Sequence, residues 1–161
     1  MIRKVETQDV KAITDIYNQY IAETDITFET EQLDENTISK RINSISVMCP
    51  YLVYLEDDRL LGYCYAHPWK ERAAYSKSYE TTIYLSPESK GKGIGTKLMK
   101  RLLSDCRQHG IHALIACITA GNEASIRLHE KLGFCKVSHF RQVGMKFDKW
   151  LDVVDYELIL E

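Results

Sequence analysis

The chain has 161 residues, of which 45% are hydrophobic and 27% charged, values that are ordinary for a globular protein. Its formal net charge of -2 lacks the basic excess of a nucleic-acid binder, and no apolar run reaches the roughly 20 residues that span a bilayer. We therefore expect one domain over residues 1–161, located in the cytoplasm, with no nucleic-acid or membrane partner.

The first half of the chain predicts strands and helices in alternation. Thr7 or Asp9 can cap a helix whose apolar side chains recur at helical spacing. Two later runs read as strands, and the polar residues between them indicate a hairpin turn. The predicted ranges are 2–5 (strand), 10–20 (helix), 34–45 (weaker helix), 51–56 and 60–67 (strands).

The second half reads strand, helix, strand, helix, strand. This order is typical of a crossover unit on a partly parallel sheet, whereas the flanking hairpins indicate antiparallel neighbours. Gly110 and Gly133 end the two helices. The predicted ranges are 77–85, 112–118, 134–143 and 153–160 for strands and 94–109 and 122–132 for helices. The sequence thus predicts a mixed α/β domain.

A glycine-rich turn over residues 89–96 is the most informative segment. Gly91, Gly93 and Gly95 alternate with other residues between a strand and a helix, where free N–H groups and the helix dipole suit an anion such as a pyrophosphate. Lys90 and Lys92 add positive charge. Neither the Walker A loop nor the dinucleotide fingerprint fits the spacing. A flexible loop with solvated lysines remains the alternative from the turn alone.

The five cysteines favour neither a disulfide framework nor a metal site. Their number is odd, and no two form a C-x-x-C pair. We expect most of them to be small buried hydrophobic side chains, and we expect no bound metal.

Together with other blocks, the turn resembles the GNAT superfamily of N-acetyltransferases, and within it the phosphinothricin and methionine sulfoximine acetyltransferases. The run from Lys90 to Gly95 matches the family's phosphate loop, with Lys90 in place of Gln or Arg. The other matching blocks follow in order along almost the whole chain: 17–21, 27–31, 67–70 with Arg72 and 74–75, 122–130 and 132–134. The match closes with the single residues Gly144, Lys146, Trp150, Asp152 and Val153.

The resemblance implies a mostly antiparallel mixed sheet with a central pair of splayed parallel strands, flanked by helices. Acetyl-CoA would lie in the gap between these strands as co-substrate. The residues implied to bind it are Ile83, Tyr84 and Leu85 on the strand, Lys90, Gly91, Lys92, Gly93, Ile94, Gly95 and Thr96 at the turn, and Asn122 and Ser125 on the following helix.

Acetyl transfer to an amine needs a base, a stabilised carbonyl oxygen and a leaving thiolate. Glu80 occupies the position of the family's proposed catalytic Glu, although an isolated strand Glu is more often an exposed charge. His129 shares one helix face with Asn122 and Ser125 and is the second candidate, as a general acid or a proton relay. A structural role for His129 stays open.

The substrate expected from the resemblance is a small amine that carries a carboxylate. Lys70 and Arg72 could bind the carboxylate, and Phe28, Trp69 and Tyr75 could wall the pocket. Phe147 and Trp150 are expected in the core or in an interface, because homodimers are common in this family. The alternatives are a protein or peptide N-acetyltransferase and a non-catalytic acyl-CoA-binding sensor.

Overall fold

The computed structural model describes residues 1–89 and 91–161, so Lys90 lies outside the described residues. The described part forms seven strands and four α-helices. The strands are β1 (Ile2–Lys4), β2 (Tyr51–Glu56), β3 (Arg59–Pro68), β4 (Ser78–Leu85), β5 (Ala113–Thr119), β6 (Cys135–Lys146) and β7 (Lys149–Ile159). The helices are α1 (Val10–Glu23), α2 (Glu35–Ser46), α3 (Ile94–Gln108) and α4 (Glu123–Lys131).

The strands form one sheet in the order β1-β2-β3-β4-β5-β7-β6. All neighbours are antiparallel except β4 and β5, which are parallel and joined through α3. A parallel pair needs such a crossover, because the chain must return to the same end of the sheet. The mixed, mostly antiparallel α/β fold expected from the sequence is therefore confirmed.

Each face of the sheet carries its own apolar layer. The layer under α3 includes Leu98, Leu102 and Leu114, all fully buried. The layer under α1 and α2 includes Ile13 and Val53 together with several tyrosines. Because side chains alternate along a strand, each central strand contributes residues to both apolar layers. A shift by one residue would exchange the two sets of side chains, so this pattern fixes the register of the strand.

The last hairpin differs most from the sequence prediction. β6 runs to Lys146 and β7 begins at Lys149, so both strands extend well beyond the predicted ranges, and Phe147 and Asp148 form a tight turn with positive φ. Phe147 and Trp150 were expected in the core or in an interface; they are 54% and 59% exposed, which excludes the core and leaves the interface as a prediction. The parts of these strands next to the turn are of mixed polarity and contain few β-branched residues, so the sequence pattern there does not indicate a strand.

Smaller corrections concern the start of α1 and the cysteines. Asp9 makes no side-chain cap; its carboxylate instead accepts hydrogen bonds from Arg3 at 2.7 and 2.9 Å and from the Glu6 amide. Three cysteines are buried as expected, whereas Cys117 and Cys135 are exposed. Among the described residues, no helix is long and apolar enough to cross a membrane.

Candidate active site

The two parallel strands separate halfway along their length. β4 and β5 pair only over Ser78–Glu80 and Ala113–Ile115, although β4 continues to Leu85 and β5 to Thr119. Beyond Glu80 each strand keeps its antiparallel partner on the outer side, β3 for β4 and β7 for β5. The sheet therefore opens into a gap whose closed end is marked by Glu80.

The direction of the free backbone groups in this gap follows from the hydrogen bonds at the ends of β4. In an antiparallel ladder, the N–H and C=O of one residue face the same neighbouring strand. The Ser86 amide donates to Leu61 on the β3 side, and the Lys77 carbonyl accepts from the Ala113 amide on the β5 side. Even-numbered residues of β4 therefore pair with β3, and odd-numbered residues face the gap.

Of the three β4 residues expected to bind the cofactor, two present backbone groups to the gap. Ile83 and Leu85 face it, whereas the backbone of Tyr84 faces β3 because of the alternation. The Leu85 carbonyl already accepts a hydrogen bond from the Tyr20 hydroxyl at 2.7 Å. Tyr20 was not singled out from the sequence, because an aromatic residue at helical spacing is ordinarily a core residue.

Two adjoining cavities occupy the gap. The larger has a volume of about 420 Å³ and extends from Ile83 and Leu85 to the Pro87–Ser89 turn. The smaller, of about 110 Å³, contains Glu80 and His129. Asn122 and Ser125, at the start of α4, line both. The gap thus links the region of the glycine-rich turn to the two candidate catalytic residues.

The three glycines of the turn are required for different structural reasons. Gly91 and Gly93 have φ of +75° and +70°, a left-handed conformation that glycine adopts without strain. Gly95 has no such angle but is buried, and a Cβ there would lie 3.2 Å from Leu85 and 3.3 Å from Leu128. The third glycine therefore permits close packing of α3 against β4 and α4, which the sequence motif by itself does not distinguish.

The start of α3 presents backbone donors. Gly93 is the N-cap, and among the described residues no side chain caps this terminus. Since the first amides of a helix have no intrahelical partner, those of Ile94, Gly95 and Thr96 are available to an anion. The ammonium of Lys92 is 2.7 Å from the Glu56 carboxylate, so this charge already has a protein partner.

Glu80 is half-buried and has charged neighbours on both sides. His67 lies opposite it on β3, in register, and Asp155 lies on the β7 side. Burial raises the pKa of Glu80, positive charge on His67 lowers it, and the Asp155 carboxylate raises it; the net direction is upward. A carboxylate with a raised pKa is a better proton acceptor than an exposed one.

Cys117 lies in the smaller cavity but is not activated as a nucleophile. Its thiol donates to the Asp155 carboxylate at 3.0 Å. Burial and the nearby carboxylates raise the pKa of the thiol to about 12. The reactive form of cysteine is the thiolate, so Cys117 remains in its unreactive form near neutral pH.

His129 is buried, with 2% of its surface exposed. Its Nδ1 lies 2.8 Å from the carbonyl oxygen of Ser125, which can only accept, so Nδ1 carries the hydrogen and Nε2 keeps its lone pair. Nε2 has no hydrogen-bond partner among the described residues. Burial lowers the pKa of the imidazole. His129 is therefore a neutral ring with a free acceptor in the smaller cavity.

The segment between α1 and α2 forms one wall of the cleft, and the sequence did not predict this wall. Ile26 lines both cavities. The Thr119 hydroxyl donates to the Asp25 carbonyl at 2.9 Å, and the buried Lys146 ammonium donates to the Thr27 carbonyl at 2.9 Å. These contacts join residues more than 90 positions apart, so no local pattern could have predicted them.

The predicted substrate residues lie outside the residues that line the two cavities. Trp69 and Tyr75 pack edge to face with ring centroids 5.4 Å apart, and Lys70 Nζ lies 4.2 Å from the Trp69 ring centroid. Arg72 is exposed beside them, and Phe28 packs over Gly144 of β6. The structure therefore gathers four of these five residues on one exposed loop.

A family model matches the part of the chain that contains the splayed strand pair, the glycine turn before α3 and the cleft at Glu80. The model that matches residues 2–154 describes an acetyltransferase (GNAT) domain. This match covers well over half of the chain. The chain therefore belongs to the GNAT acetyltransferase family and is an N-acetyltransferase by family.

Individual relatives cover nearly the whole chain. It is 37% identical to phosphinothricin N-acetyltransferase of Streptomyces coelicolor, over 97% of this chain and 94% of that protein. It is 34% identical to L-methionine sulfoximine/L-methionine sulfone acetyltransferase of Salmonella typhimurium, over 99% and 94%. A solved GNAT phosphinothricin acetyltransferase from Sinorhizobium meliloti, in complex with acetyl-CoA, superposes with a TM-score of 0.96 and 33% identity, over 99% of this chain and 88% of that one.

Proposed function

We propose that this enzyme transfers the acetyl group of acetyl-CoA to the amine of a small amino-acid-like substrate, of the phosphinothricin or methionine sulfoximine type, by direct attack in a ternary complex. The observation that carries the proposal is the place of Glu80, which lies at the closed end of the strand gap and lines one cavity with His129, whose Nε2 has no partner among the described residues. The activities of two relatives, a phosphinothricin N-acetyltransferase and an L-methionine sulfoximine/L-methionine sulfone acetyltransferase, support the substrate class.

The residues of the gap fit acetyl-CoA. The larger cavity offers the backbone edge of Ile83 and Leu85 to an amide-bearing chain, and the start of α3 offers N–H groups to a diphosphate. The unpaired Nε2 of His129 is left for the amine of the second substrate, because the thioester group has no hydrogen-bond donor. Acetyl-CoA supplies a thioester, whose carbonyl carbon forms the new bond to nitrogen while its bond to sulfur breaks.

Glu80 acts as the general base. An amine of an amino acid arrives largely as the ammonium ion at neutral pH and must lose a proton before it can attack. The raised pKa of Glu80 makes its carboxylate a suitable acceptor for that proton, directly or through one water molecule.

His129 acts as a relay rather than as a resting general acid. Its Nε2 has a lone pair and no proton to give, so it first accepts a proton. This is the second proton that the substrate nitrogen loses, as the new C–N bond forms; Glu80 has taken the first. His129 then returns its proton to the departing sulfur. Both steps use the same nitrogen of a residue that lines the smaller cavity, while the Ser125 carbonyl holds the ring in place.

Phe28, Trp69, Lys70, Arg72 and Tyr75 contact the substrate in this proposal. The support for these roles comes from the relatives and from the chemistry of a carboxylate-bearing amine, because cations and aromatic rings on one loop suit such a ligand. Lys70 lies over the Trp69 ring in the free enzyme and would turn toward the carboxylate on binding.

We also propose a homodimer formed through the β6–β7 hairpin. This hairpin exposes several large apolar side chains, each at least half exposed: Val137, Phe140, Val143, Met145, Phe147 and Trp150. A concentration of large exposed apolar side chains on one hairpin favours an interface there. Sedimentation of the wild type and of Val143→Lys tests it, with a dimer expected for the first and a monomer for the second; a monomeric wild type contradicts it.

The test of the activity is a panel of amines with acetyl-CoA, following thiol release. We expect turnover with phosphinothricin, methionine sulfoximine or methionine sulfone, and little with short peptides. Turnover of peptides alone would support the protein-acetyltransferase alternative. Initial-rate lines that intersect indicate a ternary complex, whereas parallel lines with an acetylated Cys117 in the mass spectrum would contradict direct attack.

A further inference from the structure

Ile26 lies at the junction of the two cavities in the strand gap. It lines both the cavity of about 420 Å³ and the cavity of about 110 Å³ that contains Glu80. Three other residues line both: Ile83 on β4, and Asn122 and Ser125 at the start of α4. Of these four, Ile26 alone comes from the loop that crosses the gap.

The backbone on both sides of Ile26 is tethered. The carbonyl of Asp25 accepts a hydrogen bond from Thr119 at the end of β5, and the carbonyl of Thr27 accepts one from Lys146 at the end of β6. Lys146 is only 5% exposed and Thr27 only 6%. Moving Ile26 out of the gap would break at least one of these bonds and leave a buried polar group unpaired, which destabilises the folded chain. The backbone that carries Ile26 is therefore held in place beside the gap.

We propose that Ile26 limits the length of the acyl group and so selects acetyl-CoA over donors with longer chains. The inference rests on the proposed function. The long arm of the donor requires the larger cavity, and Glu80 and His129 line the smaller one, so the thioester lies at the junction. Acyl carbons beyond the carbonyl then meet Ile26.

The size of the smaller cavity agrees with this limit. Its volume of about 110 Å³ is well below the roughly 300–1,000 Å³ of sites that enclose a drug-sized ligand. The acetyl group and the head of the attacking amine share it with the Glu80 carboxylate. An additional methylene would have to displace Ile26 or the amine.

The experiment compares kcat/KM for acetyl-CoA, propionyl-CoA and butyryl-CoA in the wild type and in Ile26→Ala and Ile26→Val. One methylene in an apolar pocket is worth roughly 10–200-fold in selectivity. We expect the wild type to favour acetyl-CoA, Ile26→Ala to shift the propionyl-to-acetyl ratio by roughly tenfold or more toward propionyl-CoA, and Ile26→Val to lie between. The graded pair keeps the test informative if the larger truncation folds poorly.

Ile45→Ala is the matched control. Ile45 is a partly buried isoleucine on α2 that packs on the other apolar layer and does not line either cavity in the gap. We expect its acyl ratio to equal that of the wild type. Affinities of the three acyl-CoAs, measured by calorimetry, give a second readout that does not need turnover.

The outcomes separate this inference from the proposed function. A wild type that acetylates amines, with the same acyl ratio in all Ile26 variants, overturns the role of Ile26 and leaves the activity standing. A wild type without turnover overturns the proposed function; the inference then fails as well unless the calorimetric ratios change in the predicted order.

Discussion

The Lys146 ammonium donates a hydrogen bond of 2.9 Å to the carbonyl oxygen of Thr27, so the end of β6 holds the loop that walls the acetyl-transfer cleft. Burial lowers the pKa of Lys146, and the carboxylates of Asp25 and Glu29 oppose this effect. The contact links a hairpin distant from the reacting groups to the position of Ile26 in the gap.

Lys146→Met tests this link. The substitution keeps the apolar length of the side chain but removes its donor, so the loop over residues 25–27 loses one tether. Removing a buried charge offsets much of the lost hydrogen bond, and we expect the melting temperature to change little. We expect kcat/KM to fall by roughly tenfold, because a small misplacement of a wall residue is costly. Lys149→Met, at an exposed site, is the control; equal activity of the two variants would count against the link.

Glu80→Gln is expected to move the acid limb of the pH profile to higher pH. The folded pKa of Glu80 is raised, so its carboxylate becomes available only as the pH rises through that value. Without it, turnover should be lowest from acidic to neutral pH and should recover at high pH, where the free amine is abundant. Affinity for acetyl-CoA should stay close to that of the wild type. A variant whose pH profile overlies that of the wild type would remove Glu80 as the base.

The same substitution, Glu80→Gln, is expected to stabilise the folded chain although it lowers the activity. A carboxyl whose pKa is raised on folding destabilises the folded state above its unfolded pKa, because its ionised form is disfavoured by burial. Glu80→Gln should therefore raise the melting temperature at neutral pH and have little effect where the carboxyl is protonated in both states. Thermal unfolding at neutral pH and at an acidic pH where the carboxyl is protonated measures this difference. A lower melting temperature of the variant at neutral pH would contradict the prediction.

His129→Gln is expected to lower kcat and leave the Kd for acetyl-CoA nearly unchanged. Glutamine retains polarity but cannot accept and return a proton at the position of Nε2. The loss should be roughly 100-fold or more if the relay operates, which is the usual contribution of a positioned acid or base. His112→Gln, at an exposed histidine, serves as the control. A structural role for His129 would instead show as a lower melting temperature with kcat maintained.

Gly95→Ala should weaken acetyl-CoA binding. The new Cβ would meet Leu85 at 3.2 Å and Leu128 at 3.3 Å, and both leucines line the larger cavity. Overpacking of this kind costs roughly 1–3 kcal/mol. Gly121→Ala is a matched control, because a Cβ there has no neighbour within 4 Å. Calorimetric titration of both variants decides between them, and equal Kd values would show that Gly95 is not needed for close packing.

The sequence by itself determined the family, the order of most elements and the pair Glu80 and His129 as candidates. These features have local signals: hydrophobic periodicity, glycines at a strand–helix turn, and blocks that keep their order along the chain. The long final hairpin was under-predicted, because exposed strands with mixed composition have weak periodicity.

Only the tertiary structure decided what these residues can do. The tautomer of His129 follows from a hydrogen bond to Ser125 one helical turn away. The separation of β4 from β5 after Glu80 and the wall at Ile26 depend on contacts between distant parts of the chain. Such contacts follow from packing and from the need to satisfy buried polar groups, and neither leaves a pattern in neighbouring residues. The sequence could name the candidate catalytic groups, but their environment, and with it their pKa and their reach, is a property of the folded chain.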